Sequence, residues 1–110
     1  MRLESSIKIN SIKLYYFDTC PSWKESLKIL KEALTEIDYK DNVDLISVET
    51  HEEAISNKFT GSPTIKVNDN DIFPTNQENY ALGCRVYKTP EGFKGSPTKE
   101  MLKQNLSNFI

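Results

Sequence analysis

The rhythm of apolar and polar positions changes several times along the chain, and each change marks an element. Ile12, Leu14 and Tyr16 alternate with polar neighbours, and then "LYYF" becomes apolar at consecutive positions, as in a central strand covered on both faces. Ile7 and Ile9 continue the alternation upstream in the opposite phase, so a bulge or break is predicted at Asn10-Ser11. After Cys20 the period lengthens. Trp23, Leu27, Leu30, Ala33, Leu34 and Ile37 recur at helical spacing, and Lys24, Lys28, Lys31, Glu32 and Glu36 take the outer face. Pro21 suits the first turn of this helix, which is predicted from about Pro21 to Ile37.

"VDLISVE", Val43 to Glu49, reads as a second strand, and "THEE" from Thr50 is a capping box that opens a short helix toward Lys58. A strand, a long helix and a strand form a crossover unit, so the first two strands are expected to be parallel. "PTIKV" and "DIF" flank "NDND", a turn rich in residues that tolerate left-handed backbone, which predicts an antiparallel hairpin. "SPTKEML" opens a last helix, with Ser96 as its cap, Pro97 as its first residue and Leu102, Leu106 and Phe109 as its buried stripe. The expected architecture is one α/β domain over residues 1–110, in the order β-α-β-α-β-β-α around a central mixed four-stranded sheet.

Composition narrows the functions open to such a domain. A chain of 110 residues with 37% hydrophobic and 27% charged residues reads as an ordinary soluble globular protein. A net charge of -2 supplies no basic field, which argues against nucleic acid or an anionic membrane as a partner. The N-terminal stretch "MRLESSIKINSIK" lacks the apolar core of a secretion signal, and no segment approaches the length of a membrane span, so the cytoplasm is the expected compartment. Two cysteines are too few for a disulfide scaffold, leaving catalysis, redox sensing or burial for Cys20 and Cys84.

Cys20 has a position that favours reactivity. It directly follows the first strand and precedes the first helix, so its sulfur is expected near unpaired backbone N–H groups and the positive end of the helix dipole. There a thiol pKa can fall from about 8.5 into the range of roughly 3.5 to 7.5. The alternative is a small buried hydrophobe, the ordinary fate of a free cysteine.

The element order, "DTCPSW" after the first strand and "GSPT" before the third resemble the thioredoxin-like superfamily over roughly Ile12 to Ile110. Within it, "FDTCPSW", "GSPTIKVNDNDIFP" and "GCRVYKTPEGFKGSP" are similar to a group of small bacterial thioredoxin-like proteins, some of which resemble selenoproteins at the reactive position. The resemblance places Cys20 at the attacking cysteine and Ser62-Pro63 at a cis-proline loop, whose backbone would pair with an extended substrate beside a partly exposed Cys20. It also places Trp23 where the resolving cysteine of the usual motif stands, so a disulfide within that motif is not available. The segment from Pro74 to Lys94 is irregular and lies beyond the minimal fold.

A resolving thiol must then come from elsewhere in the chain or from outside it. The fourth strand returns toward the reactive edge, and Cys84 lies within reach ten residues after Pro74. Arg85 can favour a thiolate or bind an anionic substrate, or stand as a solvated surface charge. Asp18 fits a turn role, His51 an exposed helix position, and Cys20, Cys84 and His51 lack the close spacing of a metal motif.

The leading expectation is a thiol–disulfide oxidoreductase or peroxide-type redox protein. Cys20 and Cys84 are its catalytic candidates, and Trp23, Ser62, Pro63 and Arg85 line the substrate site. No cofactor is required, and the partner is a protein disulfide or a small thiol or peroxide. The alternative is a non-catalytic module that holds a peptide or soft metal on the Trp23 and Pro63 surface; a third is a protein that handles metals or organomercurials through thiols.

Overall fold

A computed structural model describes residues 9–39, 42–74 and 82–109. Strand β1 (Ile12–Tyr16) leads to helix α1 (Ser22–Glu36), strand β2 (Asp44–Ser47), helix α2 (His51–Ser56), and the hairpin of β3 (Thr64–Val67) and β4 (Asn70–Asp71). A second hairpin, β5 (Tyr87–Thr89) and β6 (Gly92–Lys94), precedes helix α3 (Lys99–Leu106) and a short 3-10 turn, Ser107–Phe109. The result is a mixed α/β architecture whose four-stranded sheet has the order β2-β1-β3-β4. β1 is parallel to β2 and antiparallel to β3, as the crossover and the returning strand require.

The central position of β1 explains its two apolar faces. Ile12 and Leu14 join Leu30, Ala33 and Leu34 of α1, Ile65 and Val67 of β3, and Leu102 and Leu106 of α3 in the larger core. Tyr15 points the other way and packs with Val48, Ala54 and Phe59 beside α2. Both helices of the larger core are tied together at the surface, where Lys99 and Lys103 reach Glu36 at 2.5 and 2.7 Å. The ammonium groups, Lys103 first, hold the Glu36 carboxyl down at about 2.

Local chemistry sets the boundaries. Pro21 is the N-cap of α1 rather than its first residue, and the helix closes at Ile37 before Asp38 turns left-handed at φ 67°. Thr50 caps α2 by accepting the Glu53 N–H at 3.1 Å, and the Glu53 carboxylate reaches back to the Glu49 N–H at 2.8 Å. The break expected at Asn10-Ser11 is present: both N–H groups donate to Asn68 Oδ1, and β1 starts one residue later. Ile9 is buried in the core, while Ile7 lies outside the described residues. Asn68 and Asp69 make the hairpin turn with φ of 53° and 69°.

Three expectations are corrected. The strand expected over "DIF" ends at Asp71, because the Asp71 carboxylate folds forward to accept the Phe73 N–H at 2.9 Å. The cap of α3 is Thr98, which accepts from Met101 N–H at 3.1 Å; Ser96 is instead drawn to α1, with its hydroxyl 2.6 Å from that of Ser26. The segment expected to be irregular contains the β5–β6 hairpin, in which Tyr87 pairs with Lys94 and Thr89 with Gly92.

Candidate redox site

The site lies where β1 runs out and α1 begins. The Cys20 N–H closes a turn onto Phe17 O at 2.9 Å, and the helix starts two residues later. On the neighbouring strand the Ser62-Pro63 peptide is cis and leads into β3. Cys20 Sγ is 3.7 Å from Ser62 O, so strand and loop share one corner. Cys20 is bridged to Cys84 across 64 residues, with Cα atoms 5.8 Å apart.

Cys84 is held there by more than its sulfur. Ser62 N–H donates to Gly83 O at 2.8 Å, Arg85 N–H donates to Ser62 O at 2.9 Å, and Ser62 and Cys84 form a parallel bridge. The backbone of Ser62, expected to receive a substrate, is therefore occupied by the protein's own chain. The approach is close: a Cβ added at Gly61, which has φ 119°, would lie 2.8 Å from Arg85 Cβ.

Arg85 is turned inward, which corrects its placement on a substrate surface. Its guanidinium donates to Asp71 Oδ2 and Thr60 Oγ1, each at 3.0 Å, and to Phe73 O, and it lies 4.7 Å over the Tyr87 ring. The ion pair is buried, with side-chain exposures of 5% for Arg85 and 16% for Asp71. Tyr87 follows it into the interior and donates to Pro63 O at 2.6 Å; burial pushes its phenol well above the usual value. Burial alternates along this short segment: Arg85, Tyr87 and Thr89 are buried, while Cys84, Val86 and Lys88 are exposed.

The exposure of the two sulfur-bearing residues also differs from expectation. Cys20, expected to be partly exposed, is only 2% exposed, whereas Cys84 is exposed. Trp23 is half-buried and stacks on Tyr16 at 4.1 Å, and Ser62 and Pro63 are buried beneath the Cys84 segment. Ser62 Oγ has no hydrogen-bond partner among the described residues. Farther along the same segment Val86 is 62% exposed, and Phe93, cross-strand from Lys88, is 72% exposed.

Other chemistry is sparse. Among the described residues no group of three or more His, Cys, Asp and Glu side chains could hold a metal ion, and His51 stands exposed at the start of α2. A cleft of about 860 Å³ lined by Lys31, Leu34, Thr35, Val43 and Leu45 lies at the far end of α1 and contains neither cysteine. Among the described residues no helix is long and apolar enough to cross a membrane. Comparison of the chain with known protein families, with curated proteins and with solved structures finds no match.

Proposed function

We propose that this chain is a thiol–disulfide oxidoreductase built on a thioredoxin-like frame, with Cys20 and Cys84 as its exchanging pair. The observation that carries the reading is the bridge itself: a second cysteine from a distant segment is pinned beside a cysteine at a strand-to-helix turn. It supplies the resolving thiol that Trp23 displaces from the usual motif. The order β1–Cys20–α1 and the Ser62-Pro63 loop next to the sulfur support the frame.

The reduced pair attacks a substrate disulfide with one thiolate, forming a mixed disulfide and expelling one substrate thiolate. The other cysteine, deprotonated, then attacks the protein sulfur of that mixed disulfide and expels the second substrate thiolate. Two electrons and two protons pass from the cysteines to the substrate, and the Cys20–Cys84 bond forms. In a reducing cytoplasm the bridge is a turnover state rather than a permanent staple.

Incubating the reduced protein with a synthetic peptide disulfide, followed by acid quench, alkylation and mass analysis, tests the reading. One Cys20–Cys84 bridge is expected for each peptide disulfide reduced, with multiple turnovers in dithiothreitol lost in Cys20→Ser and in Cys84→Ser. Turnover at the wild-type rate in either variant, or a peptide disulfide left intact, overturns it.

A further inference from the structure

We propose that exchange with partners takes place at Cys84 and that Cys20 is the buried sulfur that leaves and later resolves, the reverse of the order their positions in the chain suggest. This inference rests on the oxidoreductase reading and assigns its two sulfurs.

The two halves of the bridge share a bond but not an environment. An attacking thiolate must reach the sulfur it takes, on the side away from the sulfur that leaves, so access selects the target. Cys20, at 2% exposure, is roofed by the chain, and Cys84 is exposed.

The roof does not depend on the sulfur–sulfur bond. Gly83 and Arg85 are fastened to Ser62 through backbone hydrogen bonds on either side of Cys84. The Arg85 guanidinium locks the same segment to Asp71, Thr60 and Phe73. Opening the bridge therefore leaves Cys20 covered and Cys84 outside.

Leaving-group chemistry points the same way. Cys20 stands two residues before the first residue of α1, at the positive end of the helix dipole, and a thiolate stabilised there departs faster.

The step is balanced with a partner dithiol as reductant. Its first thiolate bonds to Cys84 Sγ, the bridge breaks, and the bonding pair stays on Cys20 as a thiolate. The partner's second thiol, deprotonated, attacks the partner sulfur of the mixed disulfide, which forms the partner disulfide and frees Cys84 as a thiolate. The partner is oxidised by two electrons, the pair is reduced, and the partner's two protons are available to the new thiolates. Run backward, Cys84 is the nucleophile toward substrate disulfides and Cys20 closes the bridge.

The test mixes the bridged wild-type chain with reduced glutathione, quenches with acid early in the reaction, and maps the adduct by peptide mass. Glutathione is expected on Cys84 over Cys20 by about tenfold or more, because access selects the sulfur that is attacked. With oxidised glutathione, Cys84 in Cys20→Ser is expected to react faster than Cys20 in Cys84→Ser by a similar factor. Equal labelling, or glutathione mainly on Cys20, overturns the assignment and leaves the oxidoreductase reading standing. A bridge that survives hours in excess glutathione, with both variants inert, overturns the two together.

Discussion

Replacing Asp71 by Asn removes one charge and keeps the shape of a side chain on which the Cys84 segment depends. Arg85 then retains Thr60 Oγ1, Phe73 O and the Tyr87 face, but its buried charge loses its counter-ion. Removing one partner of a buried ion pair costs about 3–5 kcal/mol. Asp71 keeps 16% side-chain exposure, so water recovers part of that loss and the low end, about 3 kcal/mol, is expected. Urea unfolding of the bridged protein, followed through the single tryptophan, Trp23, measures it, provided the slope of the transition is unchanged. The double variant Arg85→Met/Asp71→Asn is expected to be less destabilised than the sum of the single variants by about 2 kcal/mol, because the two side chains are in contact. A loss below about 1 kcal/mol for Asp71→Asn, or full additivity in the cycle, would refute the anchoring role of the pair.

Three further outcomes are expected. Reduction of the bridge removes a constraint spanning 64 residues and is expected to lower stability by about 4 kcal/mol from chain entropy, measurable by urea unfolding with and without dithiothreitol. Tyr87 is held neutral by burial, so its stabilising contribution is complete below the unfolded phenol value near pH 10 and is lost as pH rises above it; Tyr87→Phe is expected to flatten the alkaline limb of the stability profile. The paired substitutions Val86→Ser and Phe93→Ser are expected to slow exchange with a peptide that carries apolar residues beside its cysteine by about tenfold, an effect worth 1.4 kcal/mol of lost apolar contact, while reduction by dithiothreitol keeps its rate.

The parts of this molecule that could be read from sequence are those governed by local rules. Alternation around Leu14 marked a strand with two covered faces, helical spacing from Trp23 to Ile37 marked α1, and Thr50 with Glu53 marked the start of α2. The end of β4 was hidden because it depends on the Asp71 side chain turning forward onto the Phe73 N–H. Ser96 and Thr98 compete as caps, and the choice falls to a tertiary contact, since Ser26 on α1 engages the Ser96 hydroxyl. In the β5–β6 hairpin, all three residues of β6 are exposed, so no apolar alternation announces it. "KTPEGF" nevertheless carries a turn signature in Pro90 and Gly92, and Tyr87 and Thr89 alternate with Lys88.

At the candidate site the same division holds. Cys20 and Ser62-Pro63 could be placed because each sits at the edge of a recognisable strand, and Cys84 could be brought within range by topology alone. Which way Arg85 points could not be read, because its counter-ion lies 14 residues away and its burial depends on Gly61 leaving room for its Cβ. Exposure of the two cysteines followed from that packing and was equally hidden.

The central claim is that Cys20 and Cys84 form a pair that opens and closes in exchange rather than a permanent staple. Equilibrating the protein in glutathione and dithiothreitol buffers of graded potential, trapping free thiols by alkylation and counting them by mass, tests it most directly. Both cysteines are expected to convert together in one two-electron transition with a midpoint above about -300 mV, higher than that of permanent structural disulfides. A bridge that stays closed below about -300 mV, or cysteines that label independently of one another, would contradict the account.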